Sequence, residues 1–332
     1  LMASIAGNFK LSAAGEYSIE IDPRSVDPER IALLAELGFN RISLGVQDFD
    51  PVVQRAVNRI QTVEQTLSVT RAARKHGFRS VNYDLIYGLP KQTLEGFERT
   101  LERVCEAAPD RIALYSYAHL PTVFMPQRRI ASADLPSPDV KLSLLTHAIE
   151  KFTSAGYVYI GMDHFAKPQD DLAVAQRQGR LTRNFQGYSS SGETDTIGLG
   201  VSAISNVGPS YSQNHKELDR YQACLDAGTL PVMRGIECSA DDLIRRAVIQ
   251  SLACHFRVSK ESVSIAHLIN FEKYFAPEMR QLAQLRDDGL VEFDDEWISV
   301  TPAGRLLVRA VCMVFDRYLN EGQARARYSR VL

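Results

Sequence analysis

Two kinds of hydrophobic pattern take turns along the first half of the chain. Short apolar runs rich in β-branched and aromatic residues predict strands: "YSIEID" (Tyr17–Asp22), "RISLGVQ" (Arg41–Gln47), "SVNYDLIYGLP" (Ser80–Pro90) and "RIALYSYAHLP" (Arg111–Pro121). Between them, "DPERIALLAELGF", "TVEQTLSVTRAARKHGF" and "TLEGFERTLERVCEAAP" space their apolar residues for helices. Each opens near a Thr or Asp cap and closes at Gly or Pro. "SPDVKLSLLTHAIEKFTSAGY" followed by "VYIGMDHF" (Val158–Phe165) repeats the alternation once more. Strand, helix, strand in succession predicts βαβ units and a parallel sheet. Right-handed crossovers then bring every strand's C-terminal end to one face.

Polar residues interrupt this pattern where a buried strand has least use for them. Glu20, Asp22, Gln47, Asp48, Asp84 and His119 fall at or near strand ends. An unpaired charge in a low-dielectric interior is costly. In α/β barrels the ligand site forms at the C-terminal ends of the strands. A set recurring on successive strands therefore points to one shared ligand on that face.

Beyond Asp163 the character changes. "NFQGYSSSGETDTIGLGVSAIS" (Asn184–Ser205) is Gly- and Ser-rich and predicts a long loop leading into another short apolar segment. From Ser239, "SADDLIRRAVIQSLACHF" predicts a helix with a Ser cap and an acidic first turn. "LRDDGLVEFDDEWISVTPAGRLLVRAVCMVF" then gives a helix end, a small hairpin and a further helix, a layout like that of a winged-helix module. Asp287, Asp288, Glu292, Asp294, Asp295 and Glu296 crowd its wing, and acidic charge repels phosphate. The expected organisation is a first domain over residues 1–238 and an accessory domain over 239–332.

Composition narrows the classes. The 332 residues are 45% hydrophobic and 23% charged, with a net charge of −2, as in a globular protein with no global field for nucleic acid. No apolar run approaches the roughly 20 residues that span a bilayer, and no leader is visible, so the expected compartment is the cytosol. The five cysteines, Cys105, Cys224, Cys238, Cys254 and Cys312, are scattered. They form neither a disulfide framework nor a close metal-ligand motif. "LMASIAGNF" at the start has helical spacing without a capping or targeting signal, and reads as the inside of an element.

Laid out in order, "SIEIDPR", "GFNRISLGVQDFD", "VNR", "DLIYGLPKQT", "YAHLPT", "GMDHFAKP", "NFQGY" and "GLGVSAIS" resemble the oxygen-independent coproporphyrinogen III oxidases, which are radical S-adenosylmethionine enzymes. The resemblance runs essentially end to end. It implies an α/β fold, a partial radical-SAM (β/α) barrel with parallel strands, plus a small C-terminal helical, winged-helix-like domain. It also implies the reaction: propionate side chains of coproporphyrinogen III lose CO₂ to become vinyls, through a 5′-deoxyadenosyl radical made from S-adenosylmethionine. By resemblance, Glu20, Gln47, Arg59, Asp84, Ala118 and Ile204 occupy the family's S-adenosylmethionine-binding positions, for one or two cofactor molecules. The residues agree in part: carboxylates suit hydroxyls and ammonium, and a guanidinium suits a carboxylate. Ala118 and Ile204 enter through the resemblance alone.

The implied substrate is a tetracarboxylate on a flexible apolar macrocycle, and it calls for cations beside an apolar wall. Arg128, His164 and Arg183, in a stretch that also holds Phe124, Phe165 and Phe185, are the expected contacts. The family's CxxxCxxC motif, whose thiolates bind a [4Fe–4S] cluster, and its "GGGTP" turn are both absent from this sequence. The chain is therefore expected to be an N-terminally shortened form, without cluster ligands and inactive by itself. Expected partners are coproporphyrinogen III and a flavodoxin-type electron donor, with neither nucleic acid nor membrane, for a monomer in the cytoplasm. A haem-binding, non-oxidase relative sharing this barrel is the competing reading.

Overall fold

The structure is a computed structural model that describes residues 1–192 and 194–320. The chain forms two compact units, Leu1–Val174 and a second from Ala175 onward. The boundary expected at residues 238 and 239 falls inside the second unit.

The first unit carries a six-stranded sheet of β1 (Ser18–Ile21), β2 (Arg41–Gln47), β3 (Ser80–Tyr87), β4 (Arg111–Ser116), β5 (Val158–Gly161) and β6 (His164–Ala166). Its spatial order is β1-β2-β3-β4-β6-β5. β1 to β4 are parallel neighbours, as the alternating pattern predicts. The helices are α1 (Met2–Asn8), α2 (Pro28–Glu36), α3 (Pro51–Ala56), α4 (Val63–Lys75), α5 (Leu94–Ala107), α6 (Pro138–Ser154) and α7 (Asp171–Arg177). Thr62, Thr93 and Ser137 cap α4, α5 and α6 through their hydroxyls, satisfying backbone N–H groups that the first turn leaves open.

Side chains alternate across a strand, so each strand divides its residues between two faces. Ile42, Leu44, Val46, Val81, Tyr83, Leu85, Ile112 and Leu114 pack with Phe97, Leu101, Leu144 and Phe152 in one core. The opposite face holds Ser43 and Gln47 of β2 and Asn82, Asp84 and Ile86 of β3, all half-buried. That face is the candidate ligand face.

One expectation is corrected. The strand after α6 does not extend the parallel series beside β4. Gly161, Met162 and Asp163 all have positive φ (129°, 38° and 73°), which reverses the chain in a tight turn. β6 folds back antiparallel, inserts between β4 and β5, and leaves β5 at the edge.

The second unit contains two antiparallel pieces and a helical part. β7 (Thr182–Asn184) and β8 (Gly187–Ser189) form a hairpin that straddles the start of the segment expected to be loop. β9 (Ile204–Val207), β10 (Ser210–Asn214) and β11 (Val232–Glu237) form a three-stranded sheet, with α8 (Leu218–Asp226) between the last two strands. Then come α9 (Ala240–His255), β12 (Arg257–Ser259), α10 (Lys260–His267), α11 (Phe271–Tyr274), α12 (Ala276–Asp287), β13 (Val291–Phe293), β14 (Trp297–Val300), α13 (Val308–Val314) and α14 (Arg317–Asn320). The sheet order β12-β14-β13, with β13 and β14 as a hairpin after α12, is a winged-helix-like layout. Among the described residues no helix is long and apolar enough to cross a membrane.

Candidate functional site

Register builds the site. Glu20 pairs with Ser43, Ser43 with Asn82 and Asn82 with Arg111, across β1 to β4. One row further along, Gly45 pairs with Asp84, Asp84 with Ala113, and Ala113 with His164. Asp84 therefore lies mid-strand rather than at the strand end. Its Oδ2 accepts from Ser43 Oγ (2.6 Å) and its Oδ1 from Asn82 Nδ2 (2.9 Å). Asn82 also donates to Ser43 Oγ at 2.8 Å, closing a three-residue network. Burial pushes the Asp84 carboxyl above the usual range; the two hydrogen bonds pull it back, and the charge of Glu20 adds to the rise.

Arg59 reaches the same face from the connection after α3. Its Nη2 donates to Gly45 O at 2.7 Å and its Nη1 to Asp22 Oδ2 at 3.0 Å. Gly45 leaves room for this contact: a Cβ would lie 3.0 Å from Arg59 Nη2 and 3.1 Å from Gln47 Nε2, and both side chains would have to shift. Gln47 itself sits in the left-handed region (φ 64°), where β2 is irregular in its pairing with β3. Asp22 is held first by Arg24, at 2.6 Å to Oδ2, and then by Arg59; together they bring its carboxyl down to about 2. Arg59 Nε is buried and has no protein partner.

The other expected residues sort differently. His164 lies in the Asp84 row, with its Nδ1 at 2.9 Å from Met162 O and its ring edge-on to Tyr115. Ala118 is half-buried just past β4, and Gln127 Nε2 donates to its carbonyl at 3.0 Å. Arg128 is exposed, with Nε donating to Pro121 O. Ile204 and Arg183 belong to the second unit. Ile204 opens β9, with the backbone of Gly198 packed so closely that a Cβ on Gly198 would meet Ile204 O at 2.7 Å. Arg183 lies over the Tyr188 ring, 5.4 Å from its centroid.

Asp48 turns away from the ligand face. It is buried and accepts from Thr100 (2.5 Å) and Gln92 (2.6 Å), tying the end of β2 to α5. Ser43, Asn82 and Gly45 were not singled out from the sequence, although their two-residue spacing from Gln47 and Asp84 carried the signal. At the opposite, N-terminal end of the same face, Arg41 and Arg111 close on Asp170, with Asp171 and Glu16 also bonded to Arg41.

The face suits an adenosyl sulfonium amino acid. It offers a guanidinium with a buried, unpartnered N–H, a Cβ-less position beneath it, and carboxylates and amides one strand away. A [4Fe–4S] cluster is not matched by this chain's residues. Cys105 lies on α5 in the first unit, and the other four cysteines lie in the second. Burial pushes the Cys254 and Cys312 thiols to about 12, away from the thiolate a cluster needs. Among the described residues no group of three or more His, Cys, Asp or Glu could hold a metal ion.

Comparison with known proteins places this geometry. Residues 5–104 match the radical SAM superfamily, and residues 238–307 match the HemN C-terminal domain. The fold is that of a radical S-adenosylmethionine enzyme. The solved structure of coproporphyrinogen III oxidase (HemN) from Escherichia coli superposes with a TM-score of 0.94 at 51% identity, over 96% of this chain and 73% of that one. The oxygen-independent coproporphyrinogen III oxidase of Pseudomonas aeruginosa is 54% identical over 96% of this chain and 69% of its own length. That of Thermostichus vulcanus is 45% identical over 96% and 98%. The chain belongs to the oxygen-independent coproporphyrinogen III oxidase family. A haem-binding, non-oxidase reading is not favoured.

Proposed function

We propose that this chain supplies the cofactor- and substrate-holding surface for the oxygen-independent conversion of coproporphyrinogen III to protoporphyrinogen IX. Each of two propionate side chains becomes a vinyl by giving up CO₂, a proton and two electrons. When bound, S-adenosylmethionine supplies the group that removes the substrate hydrogen. The observation that carries this reading is the guanidinium of Arg59, laid against Gly45 with a buried N–H open.

Arg59 holds the cofactor's α-carboxylate, and Asp22 and Gly45 O fix the plane of its fork. Glu20 and Gln47 meet the ammonium and ribose hydroxyls from β1 and β2. Asp84, fixed by Ser43 and Asn82, presents its remaining acceptor capacity to the same groups. Ala118, just past β4, supplies apolar backing for adenine. Arg128 and His164 meet the propionates. Residues 1–238 form the ligand-holding part and 239–332 an accessory domain, in a cytoplasmic monomer that takes electrons from a flavodoxin-type donor.

Isothermal titration with S-adenosylmethionine tests the site directly. The wild-type chain should bind saturably. Arg59→Lys keeps the charge but loses the fork, and it should bind roughly 10-fold more weakly. No saturable binding by the wild type, or equal affinity in the variant, would count against the reading.

A further inference from the structure

In the first unit, almost every cation drawn out of water has a counter-ion. Arg41, Arg59, Arg111, Lys151 and Lys167 are half-buried or buried, and each has a carboxylate oxygen at 3.3 Å or less. Lys141, also half-buried, is the exception: it pairs with no carboxylate among the described residues. Its ammonium has three donors. The single bond it makes runs from Nζ to Tyr117 O, and at 3.4 Å it is long. Burial holds its pKa below the ordinary lysine value, with no carboxylate to raise it again.

The surrounding backbone is shaped to admit this side chain. Gly88, directly after β3, has φ +82°, and a Cβ there would come within 2.7 Å of Lys141 Cε and 3.2 Å of Cδ and Cγ. The lysine stem thus crosses the C-terminal end of β3, and Nζ arrives one residue beyond β4. Tyr117 N–H donates to Tyr87 O at 2.8 Å, so the two strand ends it bridges are themselves tied. A left-handed glycine and an unpaired, desolvated ammonium both cost stability. A carboxylate arriving from outside would repay them.

The neighbourhood suits a particular carboxylate. Val123, Phe124 and Met125, 66%, 53% and 59% exposed, follow β4 on a segment that Gln127 pins through Ala118 O and Leu120 N–H. Three consecutive exposed apolar residues on the segment after β4, whose first residue past the strand, Tyr117, accepts from Lys141, match an apolar body carrying carboxylates. The cofactor's carboxylate is already met by Arg59, on the β1–β2 side of the sheet. We propose that Lys141 receives one carboxylate of the tetrapyrrole substrate at the C-terminal ends of β3 and β4. This deepens, and rests on, the function proposed above.

The test titrates the chain with coproporphyrin III, the stable fluorescent form of the substrate's carbon skeleton, following fluorescence anisotropy. Lys141→Gln should weaken binding roughly 10- to 100-fold, as expected for one charge-assisted hydrogen bond. Lys141→Arg should stay within about 3-fold, because a charge remains in reach. Coproporphyrin tetramethyl ester should not distinguish the wild type from the Gln variant. The melting temperature of Lys141→Gln should be equal or higher, since an unpaired charge is removed, and its affinity for S-adenosylmethionine should not change. Equal porphyrin affinity overturns the assignment, as does a loss of cofactor binding instead, or a large fall in melting temperature with porphyrin binding intact. A wild-type chain that takes no porphyrin brings down the functional reading and this contact together. Wild-type binding with an indifferent Gln variant brings down the contact alone.

Discussion

Asp84 shows what a half-buried carboxylate on the candidate ligand face does to the protein that keeps it. Both oxygens accept hydrogen bonds, yet burial still lifts its pKa above the ordinary carboxylate value. The folded-state pKa therefore exceeds the unfolded one. Its contribution to stability is full below the unfolded pKa and is lost as pH rises through the folded pKa. As pH rises above the ordinary carboxylate value, Asp84 therefore weakens the fold. Asp84→Asn keeps the shape, because the Ser43 hydroxyl can turn to accept from the new amide. The variant should melt no lower than the wild type near pH 7, with any advantage shrinking toward about pH 4. Its affinity for S-adenosylmethionine should fall roughly 10- to 100-fold. A variant that melts lower near neutrality, with cofactor affinity untouched, would make Asp84 a structural anchor instead.

At the scale of elements, the helix starts are the most local features and the easiest to test. Ser239 caps α9 in a reciprocal box with Asp242: Ser239 Oγ accepts from Asp242 N–H, and Asp242 Oδ2 accepts from Ser239 N–H. Ser239→Ala should cost about 1 kcal/mol, read as a lower denaturant midpoint with the slope unchanged. An unshifted midpoint would mean that water replaces the cap without loss. Such caps, and the strands from β1 to β4, were legible in the sequence because each depends on residues a few positions apart. The β5–β6 reversal was not. It relies on Met162 and Asp163 adopting positive φ without the Asn-Gly or Gly-Gly signal that marks such turns. Arg59 could be suspected from the sequence, but its seat could not, since Gly45 and Asp22 meet it only across strands. Asp48 misled for the same reason: its position near a strand end said nothing of Thr100 and Gln92 on the helix side.

For the whole molecule, the division of labour between ligand face and metal chemistry sets the sharpest expectation. Five cysteines dispersed over two units offer no three converging thiolates. Anaerobic reconstitution of the 332-residue chain with iron and sulfide should therefore give no stoichiometric [4Fe–4S] absorbance. A cysteine-dependent cluster at one per chain would show that these thiols can gather after all. The sequence's periodicity switches at Ser239 from alternating strand and helix to helix and hairpin, inside the second unit rather than at its edge. The edge of the first unit at Val174 was not legible, since α7 runs across it without a break in helical pattern.

The insertion of β6 between β4 and β5 has a consequence for synthesis. A chain leaving the ribosome completes β4 with one side of that strand unpaired. The next strand to emerge, β5, cannot cover it, because the side of β4 away from β3 pairs with β6. About fifty further residues must be made before Ala166 is out, which at roughly 5–20 residues per second means several seconds of exposure. Over that interval the nascent sheet carries an open backbone edge, the feature that most invites pairing with a neighbouring chain. Slower translation between Ser116 and Ala166 is therefore expected to lower yield, read as the soluble fraction when rare codons are placed in that stretch.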